Sequence, residues 1–407
     1  MGGSPTTPAT PRFPVGWLIL AGAVAGAIVA VLLHGDPYAN PDSHAFEAIA
    51  RSLIAGRGFV YREPMFPSLP MVAFRSPGYS AFLAMSLLLG GLQATVAIQG
   101  ALQGVAAALV GDLAGRLAGL RAAWIAWAMR LAWVAGWFYA GQLLSESLFE
   151  ATLVLAVWLA VRAGDRRSIP WAVAAGIAAT VSVLTRPTGL GPVAAITLWL
   201  GMRFPRGAAA LAIAALVAWA PWPIRNCVRL HAFVPFQTMG GVALYDSHSD
   251  QDPIVAWTYM AEHTDLGEVG LDRHFGRAAA ELIESHPGAF VRRIARAVVD
   301  YLGPIFDRRR GTWLHRFAML AVLPALVWSA GRRRLALPLA LWAAFGALLV
   351  PIVVNARYRF PSEWCVILGA AIGLSTLSEH VGGRRAALLS GAGLVACIAF
   401  TLAAARP

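Results

Sequence analysis

Apolar stretches of near-membrane length recur along almost the whole chain, and the short links between them carry arginine in six separate clusters. That pattern leaves little choice of fold. A helix needs about 20 predominantly apolar residues to cross a bilayer core, and only helices or closed barrels satisfy their backbone polar groups there. With 58% hydrophobic and 13% charged residues among 407, the chain also has too little polar surface to cover a soluble globule of this size. The sequence specifies an all-α, polytopic integral membrane protein.

Residues 1–12 are Pro/Thr-rich and lack periodicity, which reads as a disordered cytoplasmic N-terminus. Residues 13–407 read as a single membrane domain. The apolar run from Phe13 to Leu33 has no small-residue cleavage site before His34 and Asp36, so it is a retained first helix. Further runs lie at 95–115, 121–140, 147–162, 170–184, 188–202, 207–222, 313–330, 335–354, 363–378 and 386–404, for about eleven spans in all.

Orientation follows from charge. Placing Arg12 inside puts 35–94 outside. The alternation then brings Arg116/Arg121, Arg162/Arg166/Arg167, Arg203/Arg206, Arg332/Arg333/Arg334 and Arg384/Arg385 inside, as the positive-inside rule requires. The condition is that the apolar piece from Pro77 to Gly91 does not cross. At about 15 residues it suits a re-entrant or interfacial segment, and a crossing would invert every later loop.

Two outer loops, 35–94 and 226–312, are long enough to carry structure. In the first, Asn40 can cap a helix, Pro41 suits its first position and Gly56 can end it. Phe46, Ile49, Leu53 and Ile54 share one face of that helix, which is expected to lie apolar side down on the membrane. Prolines 64, 67, 70 and 77 forbid helix in the run that follows. The second loop has a Gly240-Gly241 turn, a polar stretch from Asp246 to Asp252 and a helical pattern from Leu271 to Leu302, and is expected to fold over the first.

The formal charge of +12 comes from 33 basic residues, all arginine. Their place in short loops between spans accounts for them without nucleic acid, since no basic helix with interleaved aromatics stands apart. Cys227, Cys365 and Cys397 form neither a disulfide framework nor a zinc spacing.

What stays on the outer side is a small set of acids and arginines. Asp42 sits near a helix start, where backbone N–H groups favour an ionised carboxylate able to accept a proton from a hydroxyl, although acids are common there for structural reasons alone. Arg75, in Phe74-Arg75-Ser76-Pro77-Gly78-Tyr79, is a cation suited to a lipid phosphate or to simple snorkelling. Arg186 joins two apolar runs almost without a loop, and Pro187 and Gly189 break the helices there. Glu146 adds a second acid: it can assist Asp42, orient a hydroxyl, share a metal, or serve as a first-turn residue after Ser145. Arg357 and Arg359, flanking Tyr358, oppose the positive bias and suit phosphate oxygens. Arg225 closes another span behind Trp222. Asp36, Tyr79, Arg225 and Tyr358 complete the candidates as substrate contacts. His44 and Glu47 do not have dedicated zinc spacing, which leaves a divalent ion shared between carboxylates and a phosphate as an open alternative.

Pro41-Asp42 opening a surface helix, then Arg75-Ser76-Pro77-Gly78-Tyr79, Ser145-Glu146, Thr185-Arg186-Pro187, Ala220-Pro221-Trp222-Pro223-Ile224-Arg225-Asn226 and Ala356-Arg357-Tyr358-Arg359-Phe360-Pro361, together resemble the GT-C superfamily of membrane glycosyltransferases. The branch that is most similar contains protein O-mannosyltransferases and aminoarabinose transferases, and the resemblance runs from about 13 to 378. It implies a polyprenyl-phosphate-linked sugar donor, an outward-facing active site and a first-loop aspartate as base. Asp42 then carries the base role with Glu146 as the second acid, Arg75 holds the donor phosphate, and Arg186, Arg357 and Arg359 add phosphate contacts. Two departures stand out: Ser43 follows Asp42 where the family often has a second acid, and arginine replaces the lysine of some relatives at 75. They leave metal use open. The large soluble C-terminal domain of some relatives is also not expected.

The expected reaction is a single inverting displacement by an acceptor hydroxyl on a glycan, lipid or protein, at the outer face of the cell membrane. The donor is a hexosyl or pentosyl polyprenyl phosphate. A transporter or flippase would favour repeat symmetry and charges near the midplane. A lipid-linked polysaccharide ligase or polymerase would use a diphosphate-linked donor.

Overall fold

The computed structural model describes residues 13–302, 312–352 and 355–381. The expected N-terminal tail and the expected span 386–404 lie outside them. Within them, the chain is helical apart from one short antiparallel pair, β1 (Tyr61–Arg62) with β2 (Pro70–Met71), in which Tyr61 faces Met71.

α1 (Val15–Leu33) is apolar throughout, and Trp17, Leu20, Val24 and Ile28 stay exposed along it. After α2 (Asp42–Ile54) and the β pair comes α3 (Pro77–Leu131), a 55-residue run divided by non-helical backbone at Gly90-Gly91 and Ala118-Gly119. Gly91 at φ 68° and Gly119 at φ 86° adopt the left-handed backbone that makes both breaks cheap. The first piece folds back on the second: Ser86 Oγ lies 2.8 Å from Thr95 Oγ1, and Tyr79 donates to Gln99 at 3.0 Å. At about 1.5 Å per residue its 77–89 helix is roughly 20 Å long, short of a bilayer core of about 30 Å. α1 packs against the second piece where Gly22 and Gly26 meet Gly100 and Gly104. A Cβ at Gly104 would overlap the Gly22 carbonyl, so the two backbones touch in the small-residue manner of membrane helices.

The expected span 121–140 is not one helix. The chain breaks after Leu131 and resumes as α4 (Val134–Ala140). Just before the break the buried Arg130 guanidinium turns inward to Glu150 at 2.6 Å. There follow α5 (Glu146–Arg166), α6 (Ile169–Thr185), α7 (Leu190–Arg203), α8 (Pro205–Trp219) and α9 (Pro221–Leu230). The outer segment contributes α10 (Gly240–His248), α11 (Ile254–Glu262), α12 (Gly267–Ser285) and α13 (Pro287–Leu302). α14 (Thr312–Val327), α15 (Ser329–Leu349), the single turn α16 (Ala356–Arg359) and α17 (Glu363–Val381) complete the described chain. Five helices among the described residues are long and apolar enough to cross a membrane, and Ile169–Thr185 and Leu314–Val327 are shorter apolar ones.

α5 and α17 lie at the centre, buried along most of their length, while α1 and α8 present Ile28, Ile213, Leu216 and Val217 outward. An apolar exterior around a packed interior is that of a protein dissolved in lipid. The two ends of this bundle differ in charge. At one end Arg116 pairs with Asp112 and Asp165, Arg162 with Asp112, and Arg334 with Glu379. Glu146 begins α5 at the other end, about 30 Å away along a helix of 21 residues. The arginines of the links at 116, 162 and 334 thus gather at one end of the bundle and Glu146 at the other.

Above the Glu146 end the outer segments form their own core. Ala45, Ile49, Tyr61, Phe66, Met71 and Phe74 of the first loop pack with Met239, Val242, Ala256, Met260, Leu271 and Phe275 of the second, so the second loop does fold over the first. Two expectations change here. The apolar face of α2 rests on protein rather than lipid: Phe46 meets Tyr79 edge-on at 4.8 Å and Ile49 enters the outer core. Gly240-Gly241 starts α10 instead of forming a turn, and Gly241 donates to Asp272 at 2.7 Å against the backbone of α12.

Candidate functional site

Asn40 organises the start of α2. Its Oδ1 accepts the Asp42 N–H at 3.0 Å, so the chain turns and leaves the Asp42 carboxylate at the first helical position. α2 is held at that height by Phe46 on Tyr79, itself bonded to Gln99. Gly56, at φ 72°, follows the end of the helix.

Five charged side chains converge on this point. Arg75 Nη2 bonds Asp42 Oδ1 at 2.5 Å, its guanidinium lying 4.9 Å over the Phe74 ring. Arg357 Nη1 reaches Asp42 Oδ2 at 2.7 Å and Asn40 Oδ1 at 3.1 Å, while its Nε bonds Glu146 Oε1. Arg186 Nη1 donates to the same Glu146 oxygen at 2.8 Å and to Ser145 Oγ at 3.1 Å. Arg186 lies over the Tyr358 ring at 4.6 Å, and Arg357 is 5.6 Å from the same ring. Tyr358 thus separates and orients two of the cations.

Three guanidiniums face two carboxylates, which leaves one positive charge in excess. Two polar atoms of the cluster are buried without a hydrogen-bond partner among the described residues, Arg75 Nε and Glu146 Oε2. A buried donor beside surplus positive charge suits an anionic ligand, because an unmade bond there costs about 1–3 kcal/mol. Burial is the largest influence on Asp42 and pushes its carboxyl up, yet Arg75 and Arg357, with help from Arg186, outweigh it and hold the group below its ordinary value.

Among the described residues no three of His, Cys, Asp and Glu converge, and both central carboxylates are already taken by guanidiniums. His44 instead stacks on Tyr38 at 5.1 Å, and Glu47 pairs with Arg51 at 2.6 Å.

Of the residues singled out from sequence, Asp42, Arg75, Glu146, Arg186, Arg357 and Tyr358 are brought together. Four are not. Asp36 accepts the Tyr38 N–H at 2.8 Å and shapes an exposed turn. Tyr79 is wholly buried and supports α2 from below. Arg225 donates to the Val72 carbonyl at 2.7 Å and lies 4.8 Å over Trp222, tying α9 to the first loop. Arg359 turns away from the cluster, bonds Glu363 at 3.1 Å and reaches the Asp300 carbonyl at 3.4 Å.

Sequence reasoning gave Asn40 only a capping role and passed over Glu363 and Trp133. Trp133 Nε1 donates to Glu363 Oε2 at 2.5 Å, and Glu363 in turn holds Arg359, so the turn bearing Arg357 is clamped between α17 and the break before α4. An acid opening a span is the signal that could have found Glu363.

The fold is similar to the oligosaccharyltransferase of Archaeoglobus fulgidus in complex with Zn and sulfate, at TM-score 0.58 and 14% identity over 94% of this chain and 52% of that one. The same archaeal enzyme, AglB, in complex with an inhibitory peptide and a dolichol-phosphate matches at TM-score 0.50 and 14% identity, over 96% and 54% of the two chains. ArnT from Cupriavidus metallidurans bound to undecaprenyl phosphate matches at TM-score 0.43 and 16% identity, over 91% and 80%. The chain spans about half the length of the oligosaccharyltransferase chains it matches. Neither a protein-family model nor a curated protein matches the sequence. At these identities the likeness is one of architecture: this polytopic, all-α membrane chain shares its fold with the membrane part of the archaeal oligosaccharyltransferase.

Proposed function

We propose that the protein is a membrane glycosyltransferase that moves a sugar from a polyprenyl-phosphate donor to an acceptor hydroxyl by a single inverting displacement. The observation that carries this reading is Asp42 held between Arg75 and Arg357, with Glu146 and Arg186 beside them, at one end of a lipid-exposed bundle. The fold shared with the archaeal oligosaccharyltransferase supports it, as does the dolichol-phosphate in complex with AglB.

A sugar phosphodiester carries one negative charge, which the surplus guanidinium matches. The hydroxyl oxygen attacks the anomeric carbon, the bond from that carbon to the phosphate oxygen breaks, and the electron pair leaves with the phosphate. Asp42 takes the hydroxyl proton. Charge grows on the leaving phosphate as the bond breaks, and Arg75, Arg186 and Arg357 are placed to stabilise it. Guanidinium contacts drawn to the phosphate are lost to Asp42, whose carboxyl then rises toward its ordinary value and becomes a better base. Glu146, fully buried between two arginines, keeps their spacing when the ligand leaves.

The site faces the outer side of the cell membrane in this reading, opposite the arginine-rich end, and the acceptor is a glycan, lipid or protein. A transporter is less well supported, because the five charges gather at span ends rather than near the middle of the bundle. The two readings separate in proteoliposomes supplied with undecaprenyl-phosphate-linked pentose or hexose and a membrane extract as acceptor source. Release of undecaprenyl phosphate with an inverted glycosidic product supports transfer. Movement of the intact donor between leaflets without cleavage overturns it.

A further inference from the structure

The charged cluster leaves one conspicuous feature of the outer segment unused. α13 carries three distinct sides at about 100° per residue. Its inner side is anchored on protein: Phe290 stacks on His248 at 5.5 Å, and Tyr301 stacks on Trp342 of α15 at 5.0 Å and donates to its carbonyl at 2.7 Å. Beside that lies a second apolar stripe that stays largely exposed, in which Val291 is 63% exposed, Val299 66% and Leu302 46%. Next to this stripe stand Arg292 and Arg296, both exposed and without an ion-pair partner among the described residues.

A free apolar stripe bordered by unpaired arginines is costly in water and favourable at a lipid surface, where the stripe enters the acyl boundary and the cations meet headgroups. The position of α13 agrees. Its Tyr301 is fixed to α15, and the apolar α14 begins ten residues after Leu302, so the C-terminal end of α13 lies within reach of the bilayer.

We infer that α13 is an interfacial helix that docks on the outer membrane surface, with Val291, Val299 and Leu302 in the acyl boundary and Arg292 and Arg296 on anionic lipid headgroups. This rests on the helices being membrane spans and is independent of sugar transfer. α13 also touches the turn that bears Arg357, because the Asp300 carbonyl accepts from Arg359.

The test uses the full chain in a cysteine-free background, spin-labelled at V299C, R292C or I28C. Vesicles are phosphatidylcholine with or without phosphatidylglycerol, and collisions with oxygen and with a water-soluble nickel chelate are compared. The α1 label at position 28 reports the membrane reading by itself. Docking predicts that position 299, like 28, meets oxygen severalfold more often than nickel, and that position 292 does the reverse. Phosphatidylglycerol should lower nickel access at 299, and the R292Q/R296Q pair should abolish that response. A nickel-accessible 299 beside an oxygen-accessible 28 overturns the docking. Loss of the pattern at 28 removes the membrane reading on which it stands. Indifference to phosphatidylglycerol overturns headgroup recognition, and an immobile 299 shielded from both probes shows a protein partner instead of lipid.

Discussion

Arg357 Nη1 stands 2.7 Å from Asp42 Oδ2 across 315 residues of chain, and the Nε of the same guanidinium bonds Glu146. One planar group therefore joins the first outer loop to the start of α5. Five N–H donors spread over the three nitrogens of a rigid plane suit two separated carboxylates, whereas the donors of an ammonium all radiate from one atom.

Arg357→Lys consequently keeps the charge but bridges at most one acid. Transfer should fall by on the order of 10²-fold, comparable to loss of one preorganised donor to a developing oxyanion. Undecaprenyl-phosphate affinity measured alongside should fall much less. Near-normal turnover in the lysine variant would show that charge alone suffices.

The pH dependence follows from the direction of the Asp42 shift. Its folded carboxyl lies below the ordinary value, so the base stays ionised as pH falls and is lost only on passing that lowered value. The stability contribution of its ion pairs has the same sign: it is present above the unfolded value and lost as pH falls through the folded one. Arg75→Gln removes one of the two guanidiniums holding the group down. The acid limb of kcat/KM against pH should then move to higher pH, while an unmoved limb would mean that another group sets it.

Glu363 acts on the site through the turn that presents Arg357. Glu363→Gln keeps the shape but weakens its bonds to Trp133 and Arg359. If the clamp positions Arg357, kcat falls and the acid limb of the pH profile also rises, because Asp42 loses part of a guanidinium contact. A purely structural role would lower thermal stability and leave that limb in place.

Gly104→Val tests the packing of α1 on α3. The new side chain would overlap the Gly22 carbonyl, and about 1–3 kcal/mol or more of destabilisation is expected from such overpacking. Gly16→Ala, in open space, should be neutral. Unfolding temperatures in detergent distinguish them, and equal values would contradict the close approach.

Much of this was legible in the sequence because lipid imposes long apolar runs and charge sorting that need no tertiary knowledge. Glu146 and Arg186 were readable as charges at the edges of such runs, and Asp42 as an acid beside Pro41. Arg359 lies outside the cluster for a geometric reason: side chains two apart on a helical turn point about 200° apart, so Arg357 and Arg359 face different ways. The face of α2 failed differently, since Phe46 and Ile49 suit lipid and protein equally well until the second outer loop is placed over them. Gly22, Gly26, Gly100 and Gly104 carry a readable four-residue spacing, but only the fold pairs them.

The most direct measurement is single-turnover transfer by Asp42→Asn, with undecaprenyl-phosphate binding measured on the same preparation. The amide retains the size of the carboxylate but cannot accept the hydroxyl proton as a base. The account predicts a loss of roughly 10²- to 10⁴-fold in transfer with the lipid phosphate still bound. Transfer at the native rate would contradict it.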